Sequence, residues 1–246
     1  MSHHPNITTP EGTPISDRTV GELVAERPGR SRIFQAFKID FCCQGGRTLR
    51  EACEKREVAL PSVIEQLEAE AAASVPELSN PANLPPSELA SYIVTTHHDF
   101  LRRELPRLQA MADRVAHVHG GHTPSLVEVQ EVFTGLRLEL ESHIMKEEQI
   151  LFPAISDMAS GRREPVALDG PIACMINEHD DAGRALERLS TLTSGYTPPP
   201  EACNTYRALF AGLGDLEEDL HRHIHLENAV LFPFAKAFIE ERTAIA

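Results

Sequence analysis

The sequence contains no tryptophan, and aromatic residues make up only 5% of its 246 residues. Leu, Ala, Glu and Arg are plentiful instead, which is typical of packed helices rather than of sheets. No apolar run approaches the roughly 20 residues that a membrane-spanning helix needs. Residues 1–14 have no apolar stretch of the kind found in a secretory signal. We therefore expect an all-α, cytoplasmic protein without membrane contact.

Basic residues are scarce relative to acidic ones, with 23 Lys and Arg against 37 Asp and Glu and a net charge of −14. Nucleic acid and anionic membranes both require a basic face, so this balance argues against either as a partner. Cysteines are few and odd in number, at five. That count fits a reducing compartment better than a disulfide scaffold.

One stretch of the chain occurs twice. Its copies begin at His143 and His223, 80 positions apart, and read HIMKEEQILFP and HIHLENAVLFP. Residues four apart on a helix lie on one face, so each copy presents an imidazole and a carboxylate, Glu147 or Glu227, on the same side. Both groups are common metal ligands.

The repeat extends to the segment before each copy. His98 is followed by Asp and then by Arg and Leu residues at fixed offsets, and the same pattern follows His179, 81 positions later. Each half therefore predicts a helical hairpin with one histidine on its first helix and His-x-x-x-Glu on its second. Two such hairpins predict a four-helix bundle.

The repeat supplies four histidines and two glutamates facing the interior: His98, His143, Glu147, His179, His223 and Glu227. Burying two carboxylates without a metal would cost several kcal/mol each. Two divalent cations remove that cost, and imidazole with carboxylate suits iron, manganese or zinc. With both glutamates bridging and an oxo or hydroxo bridge added, each metal has five donors and one open position.

Several other side chains near these donors have plausible roles. His97 is the alternative to the neighbouring ligand, but it lacks the following aspartate of the repeat. Glu139 and Asp219 lie one turn before the motif histidines and are candidates to accept their N–H groups. His221 and His225 lie two residues from a ligand, so we expect both to point into solvent.

Cys42 and Cys43 form an adjacent pair, which is strained as a disulfide and more plausible as a dithiol. Nearby glycines and Arg47 favour an accessible thiolate. The pair could relay iron or be redox-active, or it could simply fill space. Cys174 and Cys203 lie on apolar stretches and are expected in the core.

Composition divides the chain into four parts. Residues 1–15 are expected to be a disordered tail, and residues 16–74 a small helical domain carrying the cysteine pair. Residues 75–86, rich in proline, are expected to be a linker. Residues 87–246 then form the bundle.

At these motifs the chain resembles the di-iron, hemerythrin-like iron–sulfur cluster repair proteins, also called the repair of iron centres family. The resemblance runs from about residue 16 onward and includes Cys42 and Cys43 as well as both copies of the repeat. It implies a hemerythrin-like bundle that holds two non-haem iron ions on the six named donors. It also implies a cytoplasmic protein whose clients are iron–sulfur proteins damaged by nitric oxide or peroxide.

Two hypotheses of function follow. In the first, the protein supplies iron to damaged clusters, with Cys42 and Cys43 active in the transfer. In the second, the centre binds or reduces nitric oxide or dioxygen, as an oxidoreductase or a sensor. The sequence leaves the oligomeric state open, a dimer included.

Overall fold

The computed structural model describes residues 13–73, 80–161 and 168–243. It confirms the predicted fold class, because the described elements are helices arranged as a small N-terminal group and a four-helix bundle. The density of internal contacts divides the chain into two compact units, 1–80 and 81–246. Within the described residues, no helix has both the length and the apolar character needed to cross a bilayer.

The N-terminal unit consists of short helices. After a 3₁₀ turn at Ile15–Asp17 come α1 (Val20–Glu26), α2 (Arg30–Ala36), α3 (Leu49–Lys55) and α4 (Leu60–Ala73). Reciprocal capping boxes fix the first turns of α1 and α3, because Thr19 pairs with Glu22 and Thr48 with Glu51. Such pairs satisfy backbone N–H groups that would otherwise lack partners.

Replacing Thr48 by alanine should loosen α3. The substitution removes the hydroxyl that accepts the N–H of Glu51, and loss of such a cap costs about 1 kcal/mol. We expect amide exchange in α3 of the full chain to accelerate roughly fivefold. Thr48→Ser keeps the acceptor and should leave exchange near the wild-type rate. Equal exchange in both variants would show that the cap contributes nothing.

Four long helices form the C-terminal unit, and we call them helices A to D. Helix A covers 86–119 as α5 (Pro86–Ile93) and α6 (Asp99–His119), and helix B covers 125–159 as α7 (Ser125–Lys146) and α8 (Phe152–Ala159). Helix C is α9 (Asp169–Leu192). Helix D covers 204–243 as α10 (Asn204–Leu226) and α11 (Phe232–Thr243). Helix A packs against B and D, and B packs against C.

Helices A, B and D each contain one wider π-helical turn, at Val94–His98, Glu147–Leu151 and Glu227–Leu231. In B and D this turn directly precedes the repeated Phe-Pro, and the N–H of Phe152 donates to the oxygen of Glu147 five residues back. Pro153 has no N–H and would crowd the preceding turn of a regular α-helix. The wider turn lets the helix continue past the proline.

Two apolar clusters fill the bundle and lie on either side of the predicted donors along every helix. One cluster is lined by residues such as Leu105, Phe133 and Leu216, and the other by residues such as Ile93 and Ile155. The donor side chains therefore occupy a polar layer with hydrocarbon above and below it. Such a layer is shielded from water by the fold itself.

The remaining boundary predictions fall partly outside the described residues. Residues 1–12 and 74–79 are among those not described, so the tail over 1–15 and the linker over 75–86 stay predictions. Within the described part, helix A begins at Pro86, after a 3₁₀ turn at Pro81–Asn83.

Candidate metal centre

The structure brings all six predicted donors together in the middle of the bundle. Each of them is buried, with between 0% and 4% of the residue's surface exposed. Each helix contributes to the layer, as one histidine comes from A, one from C, and a histidine with a glutamate from both B and D. Their origin on four helices means that the layer forms only when the bundle is complete.

The four histidines form two pairs. His98 faces His223 with an Nε2 to Nε2 distance of 3.2 Å, and His143 faces His179 at the same distance of 3.2 Å. We call these the 98/223 pocket and the 143/179 pocket. Each pairs a histidine of one half of the repeat with a histidine of the other.

Both glutamates belong to both pockets. Glu147 directs Oε2 to His98 at 3.3 Å and Oε1 to His143 at 3.2 Å. Glu227 directs Oε1 to His223 at 3.0 Å and Oε2 to His179 at 3.0 Å. In each pocket, two imidazole nitrogens and two carboxylate oxygens lie within 4.8 Å of one another. Each carboxylate thus divides its two oxygens between two metal-sized positions.

Three of the four histidines are oriented by a hydrogen bond from their outer nitrogen, Nδ1, to an oxygen acceptor. The pairs are His98 with Glu148 at 2.7 Å, His143 with Glu178 at 2.8 Å, and His179 with Asn228 at 3.0 Å. A neutral imidazole that donates from Nδ1 presents the lone pair of Nε2 to the pocket. These contacts fix the tautomer that a metal ligand needs.

The predicted acceptors Glu139 and Asp219 do not fill this role. Glu139 is exposed, and Asp219 lies 3.0 Å from Nδ1 of His97. The ring of His97 stacks on His223, with centroids 5.4 Å apart and planes 4° from parallel. Within the described residues, Nδ1 of His223 has no hydrogen-bond partner. His223 is therefore positioned by ring contact and not by an acceptor.

The phenylalanines of the repeat also position two histidines of the layer. Phe152 stacks on His98 with centroids 5.7 Å apart, and Phe232 stacks on His179 at 5.9 Å. Both histidines occupy equivalent places in the repeat, which explains why the motif carries Leu-Phe-Pro in both copies. The aromatic rings close one side of each pocket to water.

The charges in the layer match a metal site. Glu147 and Glu227 are fully buried, yet three of their four oxygens have no hydrogen-bond partner among the described residues. Ionised carboxylates in such a place cost several kcal/mol unless a positive charge offsets them. The donor set of imidazole and carboxylate suits iron, manganese or zinc. The residues present therefore fit a metal centre.

Electrostatics in the layer favour an ionised carboxylate at Glu227. Burial raises the pKa of Glu227, but the neighbouring His223 and His179 outweigh burial and hold the pKa well below 4.5. Burial lowers the pKa of His143, but Glu147 and Glu227 outweigh it and raise the pKa to about 9. For His223 burial prevails, and its pKa is lowered.

The metal-free protein should lose stability as the pH rises from 7 to 10. His143 has a pKa of about 9 in the folded state against about 6.5 when unfolded. Its protonation therefore stabilises the fold fully below pH 6.5, and this contribution disappears as the pH rises through 9. We expect the free energy of unfolding to fall by roughly 2–4 kcal/mol, measured by urea titration. In His143→Gln the free energy of unfolding should fall much less over the same pH range. An equal fall in this variant would show that deprotonation of His143 is not the cause.

The predicted cysteine pair lies in the loop between α2 and α3. The Sγ atoms of Cys42 and Cys43 are 3.7 Å apart, so the two are separate thiols and not a disulfide. The sequence predicted an accessible thiolate, and this prediction is wrong for Cys42 because only 4% of the residue is exposed. A hydrogen bond with Cys43, followed by burial, raises the pKa of the Cys42 thiol well above 9.

Three further expectations from the sequence are wrong. Cys174 and Cys203 are exposed, because Cys174 lies on the outer face of helix C and Cys203 precedes the first turn of helix D. His225 is buried, at 4% exposure, since residues 223–227 of helix D are enclosed on all faces. The exposed Cys203 has a neighbour in His119, the last residue of helix A, whose Nε2 lies 3.4 Å from the cysteine Sγ.

A helical bundle with paired histidines and shared glutamates at its centre defines a cation-binding bundle of the hemerythrin type. The family model described as the Hemerythrin HHE cation binding domain matches residues 89–235, and the chain belongs to this family. Membership of this family implies that the protein binds iron. A second model, ScdA_N, described as a domain of unknown function, matches residues 16–71.

Proteins with both parts are similar to this chain over almost their whole length. The iron–sulfur cluster repair protein YtfE of Musicola paradisiaca is 42% identical over 219 residues, which cover 89% of this chain and 96% of that protein. The YtfE protein of Edwardsiella ictaluri is 41% identical with the same coverage of 89% and 96%. That of Citrobacter koseri is 39% identical, covering 90% of this chain and 97% of its own.

Proposed function

We propose that this chain is a di-iron protein that repairs iron–sulfur clusters damaged by nitrosative or oxidative stress by supplying iron. The observation that carries the proposal is the division of each buried carboxylate, Glu147 and Glu227, between two histidine pairs. This arrangement suits two ions with two bridging carboxylates better than a single ion, because a single ion would leave one histidine pair unused.

Each position in the proposed centre has two imidazoles and two carboxylate oxygens from the protein. Bound iron would supply redox chemistry, a site for small molecules and, on release, the metal for cluster repair. An oxo or hydroxo bridge would bring each ion to five donors. The protein's own contribution is to orient the Nε2 atoms, to keep Glu227 ionised, and to exclude water with Phe152 and Phe232.

The comparisons support the repair role. The relatives are named as iron–sulfur cluster repair proteins and extend over both parts of the chain. We infer that the clients are iron–sulfur proteins of the cytoplasm, and that nucleic acid is not a partner, since the net charge is −14.

Reactivation of a damaged cluster enzyme tests the proposal. A purified iron–sulfur dehydratase is inactivated with nitric oxide and then incubated anaerobically with the iron-loaded protein. We expect recovery of activity well above that given by the metal-free protein plus the same amount of free ferrous iron. Glu147→Ala, reconstituted in parallel, should give only the free-iron level. Recovery no greater than free iron in the wild type would refute iron supply.

The cysteine pair is expected to affect the rate of repair and not the iron content of the bundle. Cys42→Ser with Cys43→Ser should slow reactivation in the same assay, while the iron held by the bundle stays at the wild-type value. Cys53→Ser is the control, because Cys53 is also buried in the N-terminal unit but lies outside the pair. Unchanged repair in the double variant would remove the pair from the mechanism.

A second candidate function is the binding or reduction of nitric oxide or dioxygen. One observation favours it, namely a cavity that reaches the ligands His143, His179 and His223 and is bordered by Glu139 and Glu178. A diatomic molecule could enter there. Nitric oxide added to the reduced protein should change the iron absorption spectrum and yield nitrous oxide. A spectrum that does not respond would exclude this function and leave iron supply untouched.

A further inference from the structure

The loop between α2 and α3 gathers one carboxylate and two thiols. Asp40 Oδ1 lies 3.3 Å from Sγ of Cys42, whose sulfur lies 3.7 Å from Sγ of Cys43. We propose that Asp40, Cys42 and Cys43 bind one thiophilic divalent metal ion, ferrous iron or zinc, in the N-terminal unit. This site would be a second place on the chain where iron can be held, and its biological role rests on the proposed function.

The distances match those between ligands of a single tetrahedral ion. With metal–sulfur bonds of about 2.3 Å and metal–oxygen bonds of about 2.0 Å, two sulfurs lie about 3.8 Å apart and a sulfur and an oxygen about 3.5 Å apart. The observed separations are 3.7 Å and 3.3 Å. Small shifts of the side chains therefore suffice to bind the ion.

The backbone holds this loop in place without any metal. Asp40 Oδ1 accepts the N–H groups of Cys42 at 3.1 Å and Cys43 at 2.9 Å, which fixes the carboxylate beside both thiols. Gly45 anchors the far side, because its oxygen accepts the N–H of Gly21 at 2.9 Å. A side chain at Gly45 would place Cβ 2.6 Å from the oxygen of Phe41. The site is therefore preorganised.

Burial and geometry argue against a redox role for the same thiols. Cys42 is 4% exposed, which hinders attack on another sulfur or on peroxide. The Cα atoms of adjacent residues lie about 3.8 Å apart, whereas the Cα atoms of two residues in a relaxed disulfide usually lie about 4.4–6.8 Å apart. A disulfide between Cys42 and Cys43 would therefore be strained. The raised pKa of Cys42 further reduces its nucleophilicity. A bound metal reverses this last effect, because coordinating thiols are deprotonated outright.

The chemistry of the ligand set identifies the class of ion. Two sulfurs select zinc, ferrous iron or cuprous copper over magnesium and calcium. Binding of a divalent ion releases the two thiol protons and changes no oxidation state. Three protein ligands leave a fourth position open, and Asp40 and Cys43 are half-buried and so reachable from solvent. Such a site can exchange its ion with an incoming ligand.

Cobalt(II) titration of the full chain tests this site, with the bundle loaded with iron beforehand. Cobalt bound to thiolate gives a charge-transfer band in the near ultraviolet together with tetrahedral bands in the visible. We expect one equivalent per chain to produce both sets of bands. Cys42→Ser should lower the charge-transfer intensity by about half and weaken binding at least tenfold. Cys53→Ser should titrate like the wild type.

Asp40→Asn separates ligation from loop structure. The amide oxygen still accepts the N–H groups of Cys42 and Cys43, but the negative charge is lost. We expect at least tenfold weaker cobalt binding with unchanged amide exchange in the loop. The proposal is wrong if the wild-type protein shows no cobalt–thiolate bands. It is also wrong if these bands persist in the double variant Cys42→Ser with Cys43→Ser.

Iron in the bundle is measured in the same samples, so that the two proposals fail separately. If iron-loaded wild type repairs a damaged cluster but binds no cobalt through sulfur, the thiolate site is wrong and the repair function stands. If cobalt binds as expected while repair fails, the site stands and its assigned role in iron supply is wrong.

Discussion

Replacing Glu147 by alanine is expected to remove both iron ions from the bundle. The carboxylate gives one oxygen to the 98/223 pocket and the other to the 143/179 pocket, so its loss would take a ligand from each of the two proposed ions at once. We expect the iron content of the bundle after anaerobic reconstitution to fall from two per chain to nearly none, measured by metal analysis and Mössbauer spectroscopy. Glu227→Ala should have the same effect, because its oxygens are divided in the same way.

The matched control is a variant that affects one pocket. His98→Ala removes a ligand from the 98/223 pocket, and the Nε2 atoms of His143 and His179 stay in place. We expect this variant to keep about one iron per chain, with circular dichroism showing that all variants remain helical. If Glu147→Ala keeps one tightly bound iron with an unchanged Mössbauer signal, the glutamate does not bridge.

Iron is expected to leave the two pockets at different rates. In the 143/179 pocket both histidines donate to an acceptor, Glu178 and Asn228, whereas in the 98/223 pocket His223 has none among the described residues. Loss of such an outer hydrogen bond typically weakens metal binding 10–100-fold. Release of iron to an excess of chelator should therefore be biphasic, with two equal amplitudes and rates that differ by that factor.

Substitution of the acceptor should abolish the difference. Glu178→Ala removes the side chain that accepts the N–H of His143, and the slow phase should accelerate about tenfold or more. Glu141→Ala is the control, because Glu141 lies on helix B two residues before His143 but pairs with Arg137, so its release should match the wild type. A single phase in the wild-type protein, or a slow phase that does not respond to Glu178→Ala, would contradict the inequality.

The sequence revealed the donor layer because the chain repeats itself. A single His-x-x-x-Glu is common on exposed helices, but the second copy at His223 and the matching His98 and His179 tie six residues into one pattern. Helical periodicity then places each donor on an inner face. The all-α fold and the bundle follow from the same regularity, and the structure confirms both.

The contacts between helices were not predictable in this way. The acceptors for His98 and His143 are Glu148 and Glu178, which lie 50 and 35 residues away on other helices. Spacing along one helix pointed instead to Glu139 and Asp219. One signal was available, since Glu148 and Asn228 directly follow Glu147 and Glu227 at equivalent positions of the repeat.

The breaks in the repeat carry information of their own. Glu178 precedes His179, and the equivalent residue before His98 is His97. A carboxylate that accepts a hydrogen bond in one half is thus replaced by a ring that stacks in the other. Burial at Cys42 and His225 was missed for a different reason, because composition near a residue does not report what packs over it from elsewhere.

The π-helical turns after Glu147 and Glu227 give each of these helices one surplus residue. Because each residue of an α-helix advances the rotation by about 100°, closing this turn into a regular α-helix without removing a residue would rotate Phe152 by about that angle, away from His98. The rest of helix B, Phe152–Ala159, would then present the wrong side to its neighbours. The π-helical turn thus sets the orientation of Phe152 and of the residues after it, which cover one side of the donor layer.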